Sequence, residues 1–305
     1  MEQRVIMIVG PTAVGKTGVS ILLARELDSE IISADSMQIY RGMDIGTEKP
    51  TPLQLSAAPH HMIDIAEPSE EFSAGKYLDT VRPIIEGLHA KGKIPIMAGG
   101  TGLYVMALTR GIFDGPDADW PLRAKLMEGP PEANYLRLKE LDPETAAVIS
   151  PLNIRRVVRA LEICIKSGEK ASTLRAEKTK SLPYEYIKIG LFREREELYP
   201  MIETRVDEMM ERGLVDEVRG LQSKNPSRTA LQAIGYKEII AHLNGEYDLK
   251  EAVRLIKRNT RRYAKRQYTW FKKEEALNWV DVTGCATVED VYEKVQVSLK
   301  EARIL

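Results

Sequence analysis

The stretch "VIMIVGPTAVGKT", Val5–Thr17, sets a short apolar run directly before the pattern Gly-x-x-x-x-Gly-Lys-Thr. A run this short and rich in β-branched residues reads as a buried strand, and a helix starting near Lys16 follows it. Between the two, the glycines let backbone N–H groups turn inward around phosphate oxygens, and the helix N-terminus adds positive potential. Lys16 supplies a compact cation, and the Thr17 hydroxyl is suited to Mg²⁺. Gly10, Pro11, Thr12, Ala13, Val14, Gly15, Lys16 and Thr17 are therefore read as a phosphate loop. Whether that phosphate belongs to ATP or to another molecule is left open by the loop.

Working outward, "EIISADS" (30–36) and "IPIMAGG" (94–100) read as further strands, and "HHMIDI" (60–65) as another candidate. "SAGKYLDTVRPIIEGLHAKG" (73–92) reads as an amphipathic helix with Gly92 near its end. Alternating strands and helices imply parallel βαβ units with ligands at the carboxyl ends of the strands. The expected fold is α/β: a P-loop NTPase-like core with a parallel sheet flanked by helices, plus an all-helical insertion. From about Gly115 the pattern turns helical, broken by Pro and Gly, until "YEYIKIGLF" (184–192) returns as a strand. The expected divisions are 1–114, core; 115–183, helical insertion serving as a lid or RNA-binding surface; and 184–305, return to the core followed by mainly helical chain.

The phosphate loop, Asp35 and Thr101 each follow a strand and should converge. Asp35 can hold Mg²⁺, accept a proton from a hydroxyl or amine, or cap a helix starting near Ser36. "AGGTGLY" (98–104) reads either as an anion nest with the Thr101 hydroxyl or as a glycine-rich turn. It has no acidic residue where an ATPase would place one at this strand end. His60 and His61 lack neighbouring ligands at metal spacing, which favours hydrogen bonding over a metal site.

The net charge is −1, and 43% of the 305 residues are hydrophobic, enough for a sizeable core. No apolar run reaches the roughly 20 residues that span a bilayer, and no signal peptide is evident. Two distant cysteines, Cys164 and Cys285, suit a reducing cytoplasm. Overall neutrality hides local asymmetry: no acidic residue lies between Glu251 and Glu274, a span that carries nine Lys or Arg. At helical spacing Arg254, Arg258, Arg261 and Lys265 share a face, while Ile256, Tyr263, Gln267 and Trp270 fall on another. A basic face with interleaved aromatics suits a polyphosphate backbone, although charge runs are commonly just solvated. Arg155, Arg156 and Arg159 form a second basic segment, able to close over a phosphate or to touch RNA.

The segments "GPTAVGKT", "SADSMQIYRGMDIGTEKP", "PHHMIDI", "FSAGKY", "GGTGLYV", "NIRRVVRALEI", "LQAIGYKE" and "YAKRQYTWFKK" occur in the order seen in the tRNA dimethylallyltransferase (tRNA isopentenyltransferase) family. The chain resembles that family from about residue 5 to 280. The resemblance implies transfer of a dimethylallyl group from its diphosphate to the exocyclic amine of the adenosine 3′-adjacent to the anticodon. It implies that residues 10–17 hold the donor diphosphate, with Lys16 and a Mg²⁺ at Thr17 neutralising the leaving group. Thr101 would hydrogen-bond the donor near its bridging oxygen, and Asp35 would serve as general base. Ser36, Met37, Gln38, Arg123, the segment Arg155, Arg156, Val157, Val158 and Arg159, and the segment Gln232, Ala233, Ile234, Gly235, Tyr236 and Lys237 would line the tRNA side. Arg258 and Arg261 join them from the basic helix. The implied partners are a tRNA anticodon stem-loop and dimethylallyl diphosphate, with no membrane and no obligate protein partner, as a cytoplasmic monomer. The short stretch after residue 280 and the lack of further cysteines match the compact bacterial form rather than relatives with a zinc-finger extension. The competing expectations are a small-molecule P-loop kinase, an RNA-binding ATPase and an adenylate isopentenyltransferase.

Overall fold

The computed structural model describes residues 3–113, 115–179 and 181–305, so the expected boundary residue Asp114 lies outside the described residues. Six strands, β1 (Arg4–Val9), β2 (Ile31–Ala34), β3 (His60–His61), β4 (Ile96–Gly99), β5 (Glu185–Phe192) and β6 (Leu277–Asp281), form one sheet in the order β3-β2-β4-β1-β5-β6. Every pairing is parallel. Such a sheet needs cover on both faces. Ile6 and Ile8 of β1 point into a core shared with Val19 and Leu23, Leu198 and Ile202, and Val291 and Val295. Those pairs come from the helices Lys16–Glu26, Arg195–Glu211 and Val288–Glu301. Val5, Met7 and Val9 point the other way and are buried as well.

Register fixes where the site lies. Ala34, Gly99, Val9 and Gly190 stand side by side across β2, β4, β1 and β5. The next residues, Asp35, Gly100 and Gly10, therefore leave the sheet at one level, as parallel pairing requires. The amphipathic helix forms over Ala74–Ala90, with the Ser73 side chain accepting from the Lys76 N–H. One sequence expectation differs from the structure. The strand at 60–65 is only His60–His61, because Met62 and Asp64 adopt positive φ and turn the chain away. The stretch after 192 is mainly helical and also contains β6, an edge strand in which only Val280 is buried, so its pattern carries little signal.

By contacts the chain divides into Met1–Val105 with Pro183–Leu305, and Met106–Leu182. The second unit is helical and has its own core, built on Leu126, Leu138, Val157, Val158 and Leu161. Among the described residues no helix is long and apolar enough to cross a membrane.

Candidate active site

The loop after β1 has the backbone expected of an anion cradle. Gly15 sits at φ 104°, a conformation that L side chains rarely adopt, and it starts the helix Lys16–Glu26 without a side-chain cap. That helix has no acidic residue in its first turn, so its N–H groups and positive end stay available for an anion. The Thr17 hydroxyl makes no hydrogen bond among the described residues. Lys16 Nζ donates to the Pro11 carbonyl at 2.6 Å. Its side chain keeps partial access to solvent, yet is packed round closely enough that burial lowers its pKa to about 7. The negative charge of Asp35 opposes that shift, and the positive charge of Arg205 adds to it.

Asp35 leaves β2 at the same level. Its Oδ1 accepts from the N–H groups of Met37 (2.8 Å) and Gln38 (3.4 Å), closing a turn where a capped helix was one expectation. Oδ2 has no donor among the described residues. Burial raises the Asp35 pKa, and the two N–H bonds and Lys16 offset this only in part. From the neighbouring β4, the Thr101 N–H donates to the Ala34 carbonyl at 3.0 Å. Thr101 Oγ1 accepts from the Ser36 N–H at 3.0 Å and lies 3.3 Å from the Ser36 hydroxyl. A half-buried carboxylate, two hydroxyls and a half-buried lysine thus meet at adjacent strand ends. Burial, with the Asp35 charge adding to it, pushes the phenol of nearby Tyr263 upward. Tyr77 and Tyr104 stack with centroids 3.7 Å apart beneath this cluster, and the Tyr77 hydroxyl donates to the Ser33 carbonyl.

Other expected residues serve the scaffold in part. Gln38 bonds Ser33 and donates to the Thr47 and Glu48 carbonyls, which ties its amide into the loop. Tyr236 and Ala233 are buried, and the Tyr236 hydroxyl donates to Glu217 at 2.5 Å. Glu217 also accepts from the N–H groups of Asp44, Ile45 and Gly46 at 2.9, 2.8 and 3.1 Å. The "MDIGT" and "AIGYK" segments are thereby joined through one carboxylate, and a Cβ on Gly46 would lie 2.4 Å from the Tyr236 ring. Gln232 is exposed, Ile234 and Lys237 are half-buried, and the Gly235 N–H donates to buried Glu238.

In the helical unit, Val157 and Val158 are buried in its core while Arg155 and Arg156 are exposed. Arg123 and Arg159 both bind Glu162, whose side chain is fully buried. Along the helix Leu249–Phe271, Arg254 forms a bidentate pair with Glu251, Lys257 pairs with Asp207, and Arg261 pairs with Glu203. Arg262, Lys265 and Arg266 are exposed, and Arg266 lies over the Tyr263 ring at 5.6 Å. Arg258 is half-buried beside Asn259.

Sequence reasoning missed Arg205, Glu217 and Gln267. Arg205 stands close enough for its charge to depress Lys16, and its Nε lies 3.6 Å from Glu48. It sits in an otherwise ordinary charged helix, so sequence gave it no distinguishing signal. His60 and His61 hydrogen-bond the Ala58 carbonyl and Glu30 respectively.

Residues 38–274 match the IPP transferase family. The tRNA dimethylallyltransferase of Thermodesulfovibrio yellowstonii is 49% identical, covering 99% of each chain. That of Alkaliphilus oremlandii is 45% identical over 98% of each. Among solved structures, the full-length tRNA isopentenylpyrophosphate transferase of Bacillus halodurans superposes with a TM-score of 0.72 at 42% identity, covering 99% of this chain and 98% of that one. A eukaryotic dimethylallyltransferase acting on tRNA gives 0.84 at 30% identity, with 99% of this chain and 79% of that one covered.

Proposed function

The chain belongs to the IPP transferase family, and on that premise we propose that it transfers a dimethylallyl group from dimethylallyl diphosphate to the exocyclic amine of the adenosine 3′-adjacent to a tRNA anticodon. One observation carries this reading: the uncapped helix end with Lys16 and the Asp35–Ser36–Thr101 cluster emerge from adjacent strands at one level. The first suits a diphosphate and the second a polar, proton-losing acceptor, with the reacting carbon between them.

In the reaction the bond between the allylic carbon and the diphosphate oxygen breaks, and a bond from the same carbon to the amine nitrogen forms. Lys16 and the first-turn N–H groups take up the charge that develops on the departing diphosphate. Arg205 adds a second cation beside Lys16. Magnesium fits here in the manner it favours, with few protein ligands and the rest from phosphate and water; the Thr17 hydroxyl would hold it, and it would supply further charge neutralisation. Asp35 Oδ2, without a donor of its own, accepts the proton that the amine releases. Its raised pKa makes it a stronger base than an exposed carboxylate. Thr101 and Ser36 orient the groups around the carbon.

The adenosine must leave its stack to reach Asp35, which an anticodon loop permits at low cost. Arg155, Arg156, Arg258, Arg262, Lys265 and Arg266 supply positive charge for the backbone, with localisation in the cytoplasm and a monomeric enzyme as parts of the same proposal. The test is incubation with labelled dimethylallyl diphosphate, Mg²⁺ and either unmodified tRNA or AMP. Label on tRNA and none on AMP is expected; label on AMP without tRNA product overturns the reading.

A further inference from the structure

Gln267 lies far along the chain from both catalytic loops, yet its side chain touches each of them. It is 5% exposed, on the buried face of the helix Leu249–Phe271. Its Oε1 accepts from the Thr12 N–H of the phosphate loop at 2.9 Å. Its Nε2 donates to the Gly100 carbonyl, also at 2.9 Å. The amide orientation is dictated by its partners, since one is an N–H and the other a C=O. Shape enforces the same contact: a Cβ on Gly100 would lie 2.1 Å from Gln267 Nε2. One turn on, a Cβ on Gly102 would lie 2.3 Å from the Trp270 ring. The helix is therefore keyed to the two loops by one amide and one indole, with glycines giving the room.

We propose that Gln267 is a positioning residue, which sets the spacing between the diphosphate loop and the Thr101–Asp35 side of the site. The proposal rests on the transfer reaction given above. Gly100 is followed by Thr101, which holds Ser36 and the start of the Asp35 turn. Thr12 sits inside the loop whose Pro11 carbonyl anchors Lys16. One side chain thus bridges the cation at the leaving group and the base at the acceptor. Misplacement of reacting groups by about 1 Å costs on the order of 10²-fold in rate. Removing the bridge should accordingly act on the chemical step more than on the binding of either substrate.

The experiment uses full-length protein, dimethylallyl diphosphate and unmodified tRNA. Wild-type transfer is measured first, and its absence would sink the proposed reaction independently of Gln267. Gln267→Met keeps the volume and removes both hydrogen bonds. The expected result is a kcat at least tenfold lower, with both substrate affinities within about threefold of wild type. A kcat within twofold of wild type, or losses confined to affinity, overturns the proposal. Gln267→Glu gives a second readout that holds if the Met variant does not fold. Its carboxyl can accept from Thr12 at any pH but can donate to the Gly100 carbonyl only when protonated, and burial favours that form. The ratio of variant to wild-type kcat should rise as pH falls. A ratio independent of pH overturns the proposal.

Discussion

Lys16 and Glu162 are both ionisable groups withdrawn from water, and the protein treats them in opposite ways. Glu162, fully buried in the helical unit, accepts from the Asp119 N–H at 2.6 Å, from Arg123 at 2.9 and 2.8 Å, and from Arg159. Burial acting by itself would raise its carboxyl, but these bonds hold it below its ordinary value. Among the described residues Lys16 has one carbonyl and no carboxylate in hydrogen-bond contact, so burial carries it down to about 7. A buried charge that the protein satisfies from within serves the fold. One that is left short of counter-charge serves a ligand.

If that contrast is right, the largest effect comes from the group paired across the site with Lys16. Asp35→Asn should lower the transfer rate by about 10²–10⁴-fold, the range for a lost general base. The side-chain oxygen of Asn still accepts from the Met37 and Gln38 N–H groups, so the turn survives and tRNA affinity should not change. Single-turnover transfer and a filter-binding titration separate the two. An unchanged rate would remove Asp35 from proton transfer.

Next comes the other side of the contrast. Glu162→Ala leaves Arg123 and Arg159 without their shared partner, and breaking a buried pair costs about 3–5 kcal/mol. Arg159 keeps 33% of its side chain exposed, so water relieves part of this and about 3 kcal/mol is expected. Hydrogen exchange should show lost protection within residues 106–182 with the strands unaffected. Because the folded pKa of Glu162 is depressed, its contribution is present above the unfolded carboxylate pKa and is lost as pH falls through the folded value. The helical unit should therefore loosen first in acid, and a Glu162→Gln variant should reduce that pH dependence to the share that buried Asp142, also held below its ordinary value, contributes.

A pH profile sharpens the comparison further. For free enzyme and donor, kcat/KM should rise as Asp35 ionises and fall with unit slope as Lys16 loses its proton above about 7. A bound diphosphate raises the Lys16 pKa, so kcat should stay level where kcat/KM already declines. Lys16→Arg, which keeps its proton throughout this range, should abolish the alkaline limb. If the limb persists in that variant, Lys16 is not its origin.

The same contrast explains which parts of the molecule could be read in sequence. The phosphate loop and the strands bearing Asp35 and Thr101 are local patterns, and parallel pairing alone brings their ends together. Glu217, Gln267 and Glu162 act on segments 171–173, 167–255 and 39–43 residues away respectively, and no local spacing announces such partners. The basic helix shows the consequence. Its stretch is free of acids in sequence, yet Glu203 and Asp207 reach it from the helix Arg195–Glu211 and neutralise Arg261 and Lys257. Composition along one helix overstated its available charge because the counter-charges belong to another.

That correction yields the smallest and most discriminating prediction. If RNA is bound through uncompensated cations, Arg262 should count and the Glu203–Arg261 pair should not. Arg262 is exposed and has no acidic partner among the described residues, whereas Arg261 is held by Glu203. Each phosphate contact contributes about 0.7–0.9 to the slope of log affinity against log salt. Arg262→Ala should reduce that slope by about this amount, with only a several-fold change in affinity. The double variant Glu203→Ala with Arg261→Ala removes no net charge and should leave the slope where it was. Equal reductions in both proteins would mean that tRNA draws Arg261 away from Glu203 on binding. The helix would then present a broader basic face to RNA than it shows in the free protein.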